Sequence, residues 1–363
     1  MVEPRITIAG YYGFGNAGDE AILTATVNAF HHLRPNWHLT VLSANPALTA
    51  EIHQVEAIPR FNLARVAREL LKTDLFLFGG GSLLQDTTSL RSLLYYLTML
   101  NLPLLANRQV MVYANGFGPV RSPLGRWGCR HTLNRVPVIT LRDGDSQQEL
   151  LTLGVTRPRL QVTADPAFLL TPKDGEETKA LLQKEGLAPE QDWLMVAVRD
   201  WPGLDTERLS AALDGFARDS GLSVLFVPMH GEADRAYSHR VAQAMKQDAC
   251  ILQGEYQPEE LLGVMGSAQL VLGMRMHAII FAAVAGVPAA GISYDPKVTS
   301  LLKELKLPIL GQVDELHPER MVDQMSTLLR RRAEVSQRLR ITVEKKRQQA
   351  LDNIQRALAL VEN

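Results

Sequence analysis

Short runs of consecutive apolar residues, each closed by glycine or a polar cluster, alternate along this chain with longer segments of helical periodicity. Runs such as LFLF, VMVY and LMVAV show no in-out alternation, as expected for strands covered on both faces. The pattern predicts strands at residues 5–11, 38–42, 74–78, 109–114 and 136–141 in the first half. In the second half it predicts them at 193–198, 222–227, 269–272 and 288–292. A βαβα rhythm of this kind predicts an α/β fold of parallel sheets flanked by helices, with each half forming a Rossmann-like domain. Ligands of such sheets bind beyond the carboxyl ends of the strands, so the residues that follow each run carry the chemistry.

The polar stretch TPKDGEETKALLQKEGL, at 171–187 and containing Pro172 and Gly175, marks the boundary. One domain is expected over 1–172, a second over 173–330 and a C-terminal helix over 331–363. In that tail Val335, Leu339, Val343, Ala350, Ile354, Leu358 and Val361 recur at helical spacing. Between them lie Arg330, Arg331, Arg332, Arg338, Arg340, Lys345, Lys346 and Arg347. The plainer reading is a packing helix with a solvated basic face. The sharper one is a peripheral membrane contact with anionic lipid headgroups.

Composition narrows the class. At 363 residues, and about 150 per domain, the chain has room for two domains with cores of their own. Its 38 basic and 39 acidic residues leave a net charge of −1, which argues against a nucleic-acid binder. Cys129 and Cys250 lie far apart without metal-ligand spacing, so neither a disulfide framework nor a zinc site is expected. The N-terminus lacks a basic region followed by an apolar run, so no signal peptide is expected. The most apolar stretch, AIIFAAVAGVPAAGI at 278–292, is broken by Gly286 and Pro288 and is too short to span a bilayer. The expectation is a soluble, cytoplasmic protein.

The segments that follow the apolar runs hold the candidate chemistry. The first run ends in GFGNAG at 13–18, a GxGxxG match that alone would suggest a dinucleotide site. Two residues oppose it. Asp19 places a carboxylate where a pyrophosphate would sit, and the second strand ends in Ser43 instead of the acidic residue that would hold ribose hydroxyls. A polar, hydroxylated ligand addressed by Asn16 and Asp19 across the Gly13 backbone is preferred over a tight turn capped by Asp19. Gly79, Gly80, Gly81 and Ser82 follow the third run, with Gln85 and Asp86 just beyond. Three successive glycines imply close backbone approach. Asn115 and Gly116 follow the fourth run, Arg142 and Asp143 the fifth, and Asp165 the segment LQVTA. Arg142 could be a surface ion pair or a bidentate clamp for a carboxylate or phosphate.

In the second half, Arg199 and Asp200 follow one strand and His230 another. Most informative is GMRMH at 273–277, where Arg275, Met276 and His277 open a helix whose free N–H groups favour anions. Lys297, in ISYDPK, follows the next strand and can reach the same edge. A lone histidine is usually structural, but an arginine, a histidine and a lysine converging on one helix N-terminus point to an anionic substrate and an acid–base step.

These segments, in this order, resemble the polysaccharide pyruvyl transferase family, specifically its CsaB-type branch. The resemblance runs from YYGFGNAGDEAIL through FGGGSLLQD, NGFGPV, LRD and DPAF to GMRMHAIIFAAVAGVP and ISYDPKV. Singly these motifs are weak; as an ordered set over nearly the whole chain they are specific. The resemblance implies two Rossmann-like domains facing a cleft, similar to the GT-B arrangement of glycosyltransferases. It implies phosphoenolpyruvate as donor and co-substrate, no further cofactor and no metal. The acceptor would be a saccharide of a cell-envelope polysaccharide, lipid-linked or free, at the inner face of the membrane. Arg142, Arg275, Met276, His277 and Lys297 would then bind the donor, with Arg142, Arg275, His277 and Lys297 also catalytic. Gly13, Asn16, Asp19, Gly80, Gly81 and Asp86, in the first domain, would be left for the acceptor. Two rivals remain: a nucleotide-sugar glycosyltransferase on the same architecture, and a sugar-binding protein without chemistry. The acidic run EYQPEE at 255–260 reads as a helix start and not as a ribose ligand.

Overall fold

The computed structural model describes residues 3–87 and 89–362, which group into two compact units. The first unit holds the described residues up to Gly15, then Asp19–Leu169, then the chain from Lys346 onward. The second holds Asn16–Gly18 and Leu170–Lys345.

In the first unit, β1 (Arg5–Ala9), β2 (His38–Ser43), β3 (Glu56–Pro59), β4 (Leu75–Gly79), β5 (Gln109–Asn115), β6 (Val138–Leu141) and β7 (Arg159–Val162) form one sheet. Its order is β3-β2-β1-β4-β5-β6-β7, and every pairing is parallel. The second unit carries β8 (Trp193–Ala197), β9 (Ser223–Phe226), β10 (Ala249–Ile251), β11 (Ala268–Gly273), β12 (Ala289–Ser293) and β13 (Ile309–Gln312). They pair, again all parallel, in the order β10-β9-β8-β11-β12-β13. Each order reverses its direction of winding once, between β1 and β4 and between β8 and β11. In open sheets that reversal opens the ligand crevice.

All nine expected strands are present. The four that the pattern did not announce, β3, β7, β10 and β13, are the sheet edges. Central strands such as β4 and β8 are buried at every residue, whereas β3 buries a single residue and β10 none fully. An edge strand is covered on one flank only and therefore needs no apolar run. The acidic run at 255–260 does open a helix, Pro258–Gly266, through a capping box between Gln257 and Glu260.

Two boundaries differ from expectation. Asn16–Gly18 leave the first domain because their backbone pairs with the second: Ala17 N–H donates to Met229 O at 2.8 Å and Asn16 bridges His230. The C-terminal helix, Arg332–Glu362, is not a separate element. Val335, Leu339 and Val343 are buried within the second unit, while Ile354, Ala357 and Leu358 complete a core cluster with Ile6, Ile8 and Val27 of the first. Several basic residues of the tail serve the protein itself. Arg338 donates to Lys306 O at 2.9 Å, Arg347 to Phe168 O at 3.2 Å, and Lys346 is buried. Among the described residues no helix is long and apolar enough to cross a membrane.

The C-terminal helix is held by polar contacts to the segment that follows β7. Thr163 Oγ1 donates to Asn353 Oδ1 at 2.7 Å, and Asn353 Nδ2 donates to Ala164 O at 3.1 Å, all fully buried. Replacing Asn353 by alanine strands these partners out of reach of water. The Asn353→Ala protein should lose about 1–3 kcal/mol of stability, read as a lowered urea midpoint at unchanged slope.

Candidate functional site

At the carboxyl edge of the first sheet the glycine loops are set by what lies behind them. Gly13 sits at φ 79°, and a Cβ there would fall 2.2 Å from Ser43 Oγ and 2.5 Å from the Asn45 nitrogen. Ser43 thus packs beneath the loop, which explains why β2 ends in a small hydroxyl. Glu20, which the sequence reading passed over, accepts from Gly13 N–H at 2.8 Å and fastens the loop from inside the following helix, Ala17–Leu33. Burial pushes its carboxyl up to about 7, against the lowering effect of the Gly13, Phe14 and Gly15 N–H groups; the Asp19 charge adds to the rise. After β4, Gly81 sits at φ 68°, and a Cβ there would fall 2.7 Å from Asp19 Oδ1. Asp19 and the triple-glycine loop therefore form one close-packed patch, with Tyr12 Oη donating to Gly79 O at 3.1 Å beside it.

Asp86 stands apart from that patch. Its two oxygens accept from the Arg121 and Ser122 N–H groups at 2.9 and 2.7 Å. Burial alone would raise its pKa, but these donors prevail and hold it below the ordinary carboxylate value. Arg142 is not a surface ion pair. It is 9% exposed, donates to buried Asp165 at 3.2 Å and to Ser82 Oγ at 2.9 Å, and is fixed by both. Next to it β5 carries an irregularity. The register with β6 shifts between Val112 and Asn115, and Ala114 takes a left-handed φ of 46°. The shift aims the fully buried Asn115 side chain at a place where, among the described residues, neither amide atom finds a partner. Bulges and strained residues of this kind concentrate at functional sites.

At the second sheet, Arg275 is the N-cap of the helix Met276–Val284 and makes no side-chain capping bond. His277 stands in that helix's first turn. The Arg275 guanidinium is claimed by Asp234: Nε donates at 2.8 Å and Nη2 forms a second, ion-paired bond. Asp234 is 1% exposed and also accepts from Met229 N–H at 3.2 Å. Gly18 lies against His277 so closely that a Cβ would fall 2.0 Å from its Nδ1. Lys297 opens the helix Pro296–Glu304, where Asp295 caps its N–H at 2.9 Å.

The structure thus brings Arg275, Met276, His277 and Lys297 to the ends of adjoining strands β11 and β12. Arg142, with Gly13, Asp19, Gly80 and Gly81, belongs to the first unit, and Asn16 to the second. Sequence reasoning missed Glu20 and Asp234. Each follows a recognised loop as an acidic residue in a helix's first turn, but an acid there reads equally well as a helix start. Among the described residues no group of three or more histidine, cysteine or acidic side chains could hold a metal.

Residues 16–296 match a family model described as polysaccharide pyruvyl transferase. The chain is 21% identical over 404 residues to the amylovoran biosynthesis protein AmsJ of Erwinia amylovora, covering 94% of this chain and 96% of that one. Among solved structures it is similar to Anabaena Alr3699/HepE in complex with UDP, with a TM-score of 0.67, 13% identity and 99% and 100% of the two chains covered. It is also similar to the UDP-GlcNAc 2-epimerase of Neisseria meningitidis bound to UDP-GlcNAc, at a TM-score of 0.65, 11% identity and 98% and 99% coverage. At these identities the structures show a shared GT-B-like fold of two Rossmann-like units.

Two outcomes follow from this geometry. Arg275→Ala leaves the Asp234 carboxylate buried without its cation and should cost about 3–5 kcal/mol. Asp234→Ala in the same chain should recover part of that loss, and a double-mutant cycle of urea unfolding measures the coupling. The second concerns Glu20, whose folded pKa of about 7 lies above its ordinary value of 4.5. Its contribution is fully present below about pH 4.5 and is lost as pH rises through about 7. Between these limits stability should fall by on the order of 1–3 kcal/mol from this group. In Glu20→Gln that slope should vanish from the pH profile of the melting temperature; an unchanged slope overturns the assignment.

Proposed function

The chain belongs to the polysaccharide pyruvyl transferase family, and on that premise we propose that it transfers the enolpyruvyl group of phosphoenolpyruvate to a sugar of a cell-envelope polysaccharide. The product is a cyclic pyruvate ketal and the by-product is phosphate. The observation that carries this reading is the family match over residues 16–296, which takes in Asp19, Arg142 and the consecutive Arg275, Met276 and His277. The ordered motifs of the sequence support the CsaB-type branch. A lipid-linked acceptor would bring the reaction to the cytoplasmic face of the membrane.

In this reading the first turn of Met276–Val284 and Lys297 receive the donor's phosphate and carboxylate. Arg142, held by Asp165 and Ser82, orders the loop edge of the first unit. His277 protonates the C3 methylene of phosphoenolpyruvate, which leaves C2 electrophilic. One sugar hydroxyl adds to C2, the C2–O bond to phosphate breaks, and a second hydroxyl closes the ketal. Two hydroxyl protons are lost in all. One balances the proton taken up at C3 and the other leaves with phosphate. Lys297 and the N–H groups of the helix's first turn stabilise the departing dianion. No cofactor or metal takes part. Gly13, Asp19, Gly80 and Gly81, on the first unit, are the residues left for the acceptor. Asp86, with its oxygens held by the Arg121 and Ser122 N–H groups, fastens its loop to the segment that follows β5.

A nucleotide-sugar glycosyltransferase is the second reading, and the fold favours it as much as the first, since HepE was crystallised with UDP. Calorimetry separates the two. The protein should bind phosphoenolpyruvate in preference to UDP-sugars, GDP-sugars and NAD. His277→Ala should keep that binding within a few-fold while phosphate release falls at least about 100-fold, as for loss of a general acid–base group. Binding of a nucleotide sugar alone overturns pyruvyl transfer, and full turnover in His277→Ala removes the residue from the acid–base role.

A further inference from the structure

Arg199 lies two residues beyond Ala197 of β8, and Arg275 two residues beyond Gly273 of β11. Ala197 and Gly273 are register partners, so the two arginines leave the sheet level with each other. They flank the point between β8 and β11 where the strand order reverses. Their surroundings differ sharply. Arg275 is neutralised by Asp234. No described carboxylate, carbonyl or hydroxyl accepts from Arg199, and its Nε is buried without a partner. The nearby acids are engaged elsewhere, Asp200 with Arg240 and Asp295 with its own helix.

Aromatic rings hold Arg199 in place. Its Cζ lies 4.8 Å from the centroid of the Trp201 ring and 5.3 Å from that of Tyr294, and the two rings approach to 4.5 Å at an interplanar angle of 50°. Tyr294 follows β12 and Arg199 follows β8, the two neighbours of β11 in the sheet. The cluster therefore spans the end of β11, where the uncapped helix Met276–Val284 begins. Stacking fixes the plane of the guanidinium and strips water from its faces, and leaves the N–H groups at its rim unsatisfied. A cation oriented in this way, with no carboxylate of its own, matches a planar or tetrahedral oxyanion.

We infer that Arg199, Trp201 and Tyr294 form an oxyanion site at the switch point of the second sheet, taking a phosphoryl or carboxylate group. Resting on the pyruvyl-transfer reading, the site holds one acidic end of the donor, while Arg275 shapes the loop through Asp234. Arg199 is then a direct ligand, and Trp201 and Tyr294 are positioning residues that act through it.

Trp201 supplies a reporter. Inorganic phosphate, pyruvate, phosphoenolpyruvate and UDP are titrated into the wild-type protein while intrinsic fluorescence and heat are followed. Trp201→Phe identifies the part of the signal that belongs to the cluster. Arg199→Met should weaken phosphoenolpyruvate binding about 10- to 100-fold and abolish the Trp201 response. Arg199→Lys, which keeps the charge and loses the planar fork, should fall between. Phosphate binding without pyruvate binding identifies the phosphoryl end as the occupant, and the reverse identifies the carboxylate. Unchanged phosphoenolpyruvate affinity in Arg199→Met overturns the site and leaves pyruvyl transfer standing. Phosphate binding that depends on Arg199, in a protein that ignores phosphoenolpyruvate, keeps the site and removes pyruvyl transfer. A Trp201 response to UDP alone overturns the oxyanion assignment in favour of base stacking. If Arg199→Met does not fold, Arg199→Lys and Trp201→Leu carry the same comparison.

Discussion

Every strand in each sheet runs in the same direction, and the rest of this molecule follows from that constraint. Parallel strands can be joined only by crossovers, so helices cover both faces and the strand ends that face a ligand all lie along one edge. Each unit meets this edge with the same two devices. One is a glycine-bearing or tightly turned loop. The other is a buried arginine–carboxylate pair, Arg142 with Asp165 in the first unit and Arg275 with Asp234 in the second. The pairs tie loops from neighbouring or distant strands together where no backbone ladder can reach.

Those pairs also decide which cations can meet a substrate. A buried guanidinium that already faces a buried carboxylate has little net charge to offer, and its removal harms the fold first. An arginine held by aromatic faces keeps its full charge, because stacking satisfies its shape and not its hydrogen bonds. For that reason Arg199 and Arg275, level on adjoining strands, have different work, although both are arginines just past a strand of the same sheet.

The sequence revealed the strands that are buried on both flanks and concealed those that are not. LFLF and LMVAV are legible because the central positions of a parallel sheet, covered on both faces, are filled mostly by apolar side chains. The residues of β3, EAIP, and of β13, ILGQ, satisfy one neighbour and solvent, and so carry no pattern. The candidate site was legible to the same degree. His277, Arg275 and Lys297 stand out because polar residues immediately after apolar strands are conspicuous. Their partners do not stand out. Asp234 is 41 residues from Arg275, and Asp165 is 23 from Arg142, distances over which only the folded chain defines a pair. Trp201 and Tyr294 each look like ordinary loop aromatics until β8 and β12 are known to flank β11.

The GxGxxG segment shows how a familiar spacing can arise from other demands. In a dinucleotide site the three glycines serve a tight turn, close approach to a pyrophosphate and close packing of helix on strand. Gly13 here is required by Ser43 Oγ and the Asn45 backbone, which leave 2.2 and 2.5 Å for a Cβ. Gly15 has nothing within 4 Å, and its left-handed φ of 69° alone accounts for the residue. Gly18 is required by the imidazole of His277, 2.0 Å from where a Cβ would stand. Each glycine therefore has a local reason that involves no nucleotide, and the third of them ties the fingerprint to the histidine at the centre of the proposed chemistry. Neither Asp19 at the helix start nor Glu20 beneath the loop conflicts with such a role, since neither has to make way for a pyrophosphate. The spacing that first suggested a dinucleotide is better understood as the room that a buried serine and a fixed imidazole demand.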